Sequence, residues 1–306
     1  MTSSVGRLAD EVDPRASQPR VREALPPADV DDAGTHVAVE PSTVRRVVSL
    51  CPSLTESLAA TDRTLLVGAS DACAWPRDLD VVRVGEPGAP DVDAVVSLAP
   101  DLVLAEVGVL DPTTVDGLHG HGLAVWQAAA EDVVGATLAV GRALAGCGLA
   151  APAWLDRCRL AWASAEDGNP ATRTAAVVLA GDPWRVAPAG GLVADVLRLL
   201  DCEQVDPADA EVVLLADAEA GAGRPADADD VRAHLPGAAG RVVVVDGRHL
   251  TWWGPSLEHA RASLERALVR GTGPAVPPAS PSRRRRAPLP LPSTGPSGDL
   301  PDDQRP

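Results

Sequence analysis

Four residue types are missing from this chain. Its 306 residues include no Phe, Tyr, Ile or Lys, and Asn occurs once, at Asn169. These residues use AT-rich codons, so a GC-rich genome accounts for the gaps better than function does. All lysine-like charge is therefore carried by arginine, and seven Trp are the only aromatic residues of the Phe, Trp and Tyr class. Basic character is scarce too. The formal net charge of -16 argues against a nucleic-acid partner, which needs a basic face. The run RRRR at 283–286 is the exception, but it sits in a Pro/Ser-rich stretch and reads as solvated. No apolar run reaches the length needed to cross a membrane, so no membrane insertion is expected.

Cysteine is sparse and unpatterned. Cys51, Cys73, Cys147, Cys158 and Cys202 make an odd number with no CxxC, which fits free thiols in a reducing compartment. The N-terminal stretch MTSSVGRLADEVDPRASQPR has no apolar core and shows no secretory signal. Cytoplasmic localisation is the resulting expectation. LAGC at 144–147 matches a lipoprotein cleavage box, but it lies mid-chain behind Arg142 without leader context. No His/Cys/carboxylate cluster has metal-site spacing, so any metal is expected to arrive inside a ligand.

What is present is a regular alternation. Apolar residues make up 45% of the chain, enough for a sizeable core. Residues 1–43 are Pro/Asp/Glu/Ala-rich and aperiodic, which predicts a disordered leader. Residues 272–306 predict a disordered Pro/Arg-rich tail. In 44–130, the runs RRVVSL, TLLVGA, VVRVG, LVLAE and LAVWQ alternate with helical patterns. This predicts a three-layer α/β lobe with a mostly parallel sheet. Residues 131–168 predict helix, kinked or split at Pro152. One stripe there is Val134, Leu138 and Leu144, and another is Trp154, Leu155, Cys158 and Trp162. Residues 169–271 predict a second, smaller α/β lobe. It ends in a helix from about Pro255 to Arg270 with the stripe Leu257, Ala260, Leu264, Ala267 and Leu268.

The segment VVSLCPSLTESL, residues 47–58, is a strand-to-helix turn. Ser53 and Glu56 match an S-x-x-E capping box with Ser53 as N-cap. In a parallel lobe this turn lies at the ligand-binding carboxyl edge of the sheet. Cys51 lacks a base in a comparable position and lacks a phosphatase-type arginine cradle. It reads as a wall residue rather than a nucleophile.

RRVVSLCPSLTESLAA, LLVGASDACAWP and VRVGEPGAPDVDAVVSLAPDLVLAE together resemble the first lobe of class III substrate-binding proteins of ABC transporters. DVDAVVSLAPDLVL is the most specific of these matches. DGRHLTWWGPSLEHA resembles the last strand and helix of the cobalamin-binding-like, helical-backbone members. The resemblance covers roughly residues 44–270. It implies two α/β lobes joined by a long backbone helix, no catalytic residues and no intrinsic cofactor. It also implies a macrocyclic small-molecule ligand, a corrinoid such as cobalamin first, held in the interlobe cleft. A flat apolar ring buries well against indoles. Carried over by position, the ligand-binding residues are Ser53, Thr55, Trp75, Trp184, His249, Trp252 and Trp253. Trp126, Trp154 and Trp162, on a strand or helix face, read as core. Trp75 and Trp184 suit cleft or core equally. Trp252 and Trp253 are adjacent in an extended segment, so at most one faces the cleft. His249 also reads as a hydrogen-bonded structural residue.

Departures from the family pattern leave other readings open. The second lobe is short, GEPGAPD has no aromatic, and only Asp93 stands in for the carboxylates that contact the permease. Docking on an ABC permease is therefore doubtful from the sequence. The alternatives are a degenerate member acting as a structural or regulatory interaction protein, a siderophore- or haem-binding transporter component, and a Cys51-dependent enzyme.

Overall fold

The computed structural model describes residues 29–163, 171–181, 184–217, 227–234 and 242–272. Most of the expected leader and all but Thr272 of the expected tail lie outside the described residues.

The first lobe runs β1 (Val47–Ser49), α1 (Pro52–Asp62), β2 (Leu66–Ala69), β3 (Val82–Arg83), β4 (Gly85–Glu86), β5 (Ala89–Pro90), α2 (Val92–Ser97), β6 (Leu102–Glu106), α3 (Pro112–Gly120) and β7 (Ala124–Ala128). Five strands form a parallel sheet in the order β3-β2-β1-β6-β7, and β4 with β5 forms a separate antiparallel hairpin. The strand order reverses between β1 and β6. That reversal opens a crevice at their carboxyl ends, where ligands bind in folds of this type. Short β-branched runs build these strands because both faces are covered: Val47, Leu104 and Trp126 face one core, and Val48, Val103 and Val125 face another. Asp91 and Asp111 cap α2 and α3 by accepting backbone amide hydrogens, which fixes where each helix begins.

Two helices, α4 (Val133–Gly146) and α5 (Ala153–Trp162), connect the lobes. Gly148, at φ +75°, ends the first in the left-handed region with its Cα against the Pro41 carbonyl, a place where no Cβ fits. Pro152 then occupies the N-cap of α5. The break is thus a glycine stop followed by a proline start. The stripe on α5 holds, with Trp154, Leu155, Cys158 and Trp162 buried. The stripe expected on α4 holds only at Leu144, which is buried: Val134 is 68% exposed and Leu138 37%, while Ala136, Ala139, Val140 and Ala143 face inward. Small side chains let α4 approach the sheet closely, as Gly146 shows by lying against the Trp126 ring. LAGC is the end of this helix, with Cys147 buried.

The second lobe runs β8 (Arg173–Gly181), β9 (Trp184–Val186), α6 (Gly191–Arg198), β10 (Cys202–Gln204), β11 (Val212–Ala216), α7 (Ala228–His234), β12 (Val242–Val245), α8 (Arg248–Thr251) and α9 (Leu257–Thr272). Its parallel strands lie in the order β10-β8-β11-β12, and β9 pairs antiparallel with β8. The short strands β9 and β10 carry no run long enough to show in the sequence. All five residues of the expected α9 stripe are buried.

The boundary at residue 43 moves. Residues 29–43 pack on the first lobe: the Asp31 carboxylate accepts the Gln127 amide hydrogen at 3.0 Å, and Asp32 pairs with Arg142. The Asp32 amide donates to the Gln127 carbonyl at 2.9 Å, and its carboxylate accepts from Ala129 at 3.0 Å. This strap follows the outer edge of β7 and satisfies its open backbone groups.

Candidate functional site

The carboxyl edges of the two sheets meet at one seam. Pro52 occupies the first turn of α1, so the helix starts two residues earlier than a Ser53 N-cap requires, and Cys51 is the N-cap. The expected capping box is therefore not formed. Its two members face the other lobe instead. Ser53 Oγ accepts the Trp253 amide hydrogen at 3.1 Å. Glu56 Oε2 accepts from the Ser256 amide at 3.3 Å and from Ser256 Oγ at 3.0 Å. Glu56 Oε1 lies 3.5 Å from Arg248 Nη1. Burial pushes the Glu56 carboxyl up, while the Ser256 hydrogen bonds and Arg248 pull it down. Gly254 passes between these contacts, close to the Ser53 carbonyl.

A second interlobe contact lies beside the first. Trp75 follows β2 in the loop of residues 70–81, and the Trp75-Pro76 peptide is cis. The Arg248 guanidinium carbon stands 3.8 Å from the Trp75 ring centroid, with Arg77 at 5.0 Å. Arg248 follows β12 and also pairs with Asp246 at 2.6 Å. His249 is next in sequence. Its Nε2 is 3.9 Å from Asp246 Oδ2, and its buried Nδ1 has no hydrogen-bond partner among the described residues. Burial holds its pKa below the ordinary 6.5, so the ring is neutral at pH 7. A cavity of about 400 Å³, open to solvent, sits at this seam. Its lining includes Glu56, Trp154, Arg157, Arg248, His249 and His259.

The seven candidate ligand residues are thus dispersed. Trp75 and His249 lie at the seam, each in touch with the Arg248–Asp246 pair. Ser53, Trp252 and Trp253 are buried. Thr55 is buried too, with its hydroxyl 2.8 Å from Ser49 Oγ and 2.9 Å from Cys73 Sγ. Trp184 lies tilted against the His234 ring, 4.8 Å between centroids, and packs on the face of the second sheet that carries Ala176, Val178 and Val213. Cys51 is buried, and burial and then the nearby Glu106 charge push its thiol well above the ordinary 9.0. That removes the thiolate a nucleophile needs. Sequence reasoning did not single out Arg248, Glu56 in its interlobe role, or Glu106. Their partners are distant in the chain, so no local pattern marks them. Among the described residues there is no group of three or more side chains suited to hold a metal ion. No helix among them is long and apolar enough to cross a membrane.

No family model matches the chain. It is 33% identical to a cobalamin-binding protein of Halobacterium salinarum over 159 residues, which is 49% of this chain and 42% of that protein. It is 33% identical over 109 residues to an uncharacterized ABC transporter substrate-binding lipoprotein of Bacillus subtilis, covering 34% of this chain and 33% of the relative. The chain therefore spans less than half the length of these curated relatives. In fold it is similar to a periplasmic heme binding protein from Pseudomonas aeruginosa, with a TM-score of 0.59 and 24% identity. That likeness covers 74% of this chain and 92% of the neighbour.

These likenesses overturn the cytoplasmic localisation expected from the sequence, because the relatives and neighbours include a lipoprotein and periplasmic proteins. That expectation leaned on unpaired cysteines and on an N-terminal stretch without an apolar core. All five are buried, where a thiol is shielded from oxidants in any compartment, so they do not report one. In part of its sequence the chain is thus similar to a cobalamin-binding protein and to an ABC transporter substrate-binding lipoprotein, and in fold it is similar to a periplasmic heme binding protein.

Proposed function

We propose that the chain binds a metal-chelate macrocycle between its lobes, a corrinoid such as cobalamin first, and catalyses no reaction on it. The observation that carries this reading is the Trp75–Arg248 stack. An indole from one lobe lies under a flat cation from the other, at the carboxyl edges of both sheets. A planar ligand entering between them replaces a flat guanidinium by a larger flat surface and buries more apolar area. The cavity of about 400 Å³ reaches Arg248 and His249 but not the Trp75 ring, so a corrin meets the indole only when the lobes part. Trp75 is the leading contact and His249 lies at the same seam. Ser53 and Trp253 come within reach only as their mutual hydrogen bond opens. Thr55, Trp184 and Trp252 are contacts only if the lobes rearrange further.

The likeness to the cobalamin-binding protein of Halobacterium supports a corrinoid, and the heme-binding neighbour supports haem as the second reading. The lipoprotein relative supports an ABC permease as partner, with exposed Asp93 on α2 as the first-lobe contact. A non-catalytic role agrees with the buried, protonated Cys51.

Thermal shift with cobalamin, haemin and a ferric siderophore tests the reading. A ligand at one hundred times its Kd adds about 2.7 kcal/mol, which raises Tm by about 5 °C or more for a domain of this size. No shift with any of the three sinks it. A shift with haemin or the siderophore alone moves the reading to that ligand.

A further inference from the structure

The crevice between β1 and β6 is closed on one side by a carboxyl group. Glu106 is the last residue of β6, beside the strand-order reversal. Its Oε2 lies 3.9 Å from Cys51 Sγ, which hangs from the end of the neighbouring strand. Among the described residues no cationic side chain pairs with it. The loop that follows turns at Gly108, φ +76°, and leaves Val107 37% and Val109 40% exposed. The Val109 carbonyl lies against Gly88 of the β4–β5 hairpin, so the hairpin and this loop form one rim. Two exposed valines follow a half-buried carboxyl that accepts from the Cys51 thiol and faces no cation among the described residues, so this wall is apolar except at one point. That point accepts a hydrogen bond, or donates one when protonated. An approaching carboxylate meets like charge in a poorly hydrated place, whereas an amide N–H meets an acceptor.

We propose that Glu106 sets the ligand's charge class: this wall takes a macrocycle whose arms end in amides and excludes one whose arms end in carboxylates. The inference rests on the macrocycle reading above and adds to it which periphery is accepted. Glu106 acts here as a specificity-determining residue, by an attraction for donors and a repulsion of acids.

The test uses two probes with the same ring: dicyanocobinamide, whose arms are amides, and dicyanocobyrinic acid, whose arms are carboxylates. Affinities are measured calorimetrically near neutral pH for the wild type, Glu106→Gln and Glu106→Ala. The wild type is expected to bind the amide corrin about tenfold tighter or more. Both variants are expected to shrink that ratio about threefold or more, chiefly by tightening the carboxylate corrin. Thermal melts of both variants confirm folding, and the near-isosteric Gln variant keeps the comparison interpretable where Ala loosens the strand end. Corrin binding with no preference, or a preference that both variants leave intact, overturns the role of Glu106 alone. No binding of either corrin by any of the three proteins defeats the macrocycle reading, and this inference with it.

Discussion

The guanidinium of Arg248 and the indole of Trp75 face each other at 3.8 Å across the seam between the lobes. Arg248 joins this stack to a carboxylate of its own lobe, Asp246, and to one of the other lobe, Glu56. Removing the side chain deletes the stack and leaves both carboxylates short of a cation. Arg248→Ala is expected to lower unfolding free energy by about 2 kcal/mol in urea denaturation. A change under about 0.5 kcal/mol shows that the seam does not depend on it.

Gly254 threads the same seam where there is no room for a side chain. A Cβ there would lie 2.8 Å from the Ser53 carbonyl oxygen and 3.0 Å from Glu56 Oε2. The backbone of α1 cannot yield as a flexible side chain would. Gly254→Ala is expected to cost about 1–3 kcal/mol and to loosen the Ser53–Trp253 and Glu56–Ser256 bonds together. Hydrogen exchange at the Trp253 amide measures this, and unchanged protection contradicts it.

Glu106 links stability to pH. Burial raises its carboxyl above the ordinary 4.5, and the Cys51 contact offsets this only in part. Between the unfolded and folded pKa values the folded chain therefore binds more protons. For this group stability is fullest below about 4.5 and is lost as pH rises through the folded value. Glu106→Gln removes that loss. The variant is expected to gain on the wild type in urea unfolding as pH rises from about 4.5 to about 7. A difference that stays constant over that range contradicts the sign.

The thiols are expected to be silent in the native state. All five are buried, and desolvation pushes Cys147 and Cys158 up to about 12 and Cys202 to about 11. Ellman's reagent at mildly alkaline pH is expected to find no rapidly reacting thiol in the folded protein and all five in denaturant. A fast native thiol that Cys51→Ser abolishes reopens the nucleophile reading.

The two lobes were legible because parallel strands buried on both faces read as short β-branched runs, and because α9 keeps a clean stripe from Leu257 to Leu268. The core roles of Trp126, Trp154 and Trp162 were legible for the same reason. The failures have specific causes. Pro52 at the first helical position displaced Ser53 from the N-cap, so a local capping pattern concealed two contacts to residues 200 positions away. On α4 the larger side chains of Val134 and Leu138 suggested the wrong face, because close packing there selects alanine. Asp31 and Asp32 lay in an aperiodic acidic stretch, and their partners are backbone groups of β7 that composition does not reveal. Glu106 acquires meaning only once the strand order is known, since a single carboxylate at a strand end carries no motif.

In the proposed mode of binding a planar macrocycle enters where Trp75 and Arg248 meet. Fluorescence titration of the wild type and of Trp75→Leu with cobalamin addresses it most directly, with cobalamin absorption corrected against free tryptophan. The expected result is saturable quenching at one site in the wild type, with affinity reduced about tenfold or more in the variant while its thermal melt is retained. Equal affinity in the two proteins, or no saturable quenching in the wild type, contradicts it.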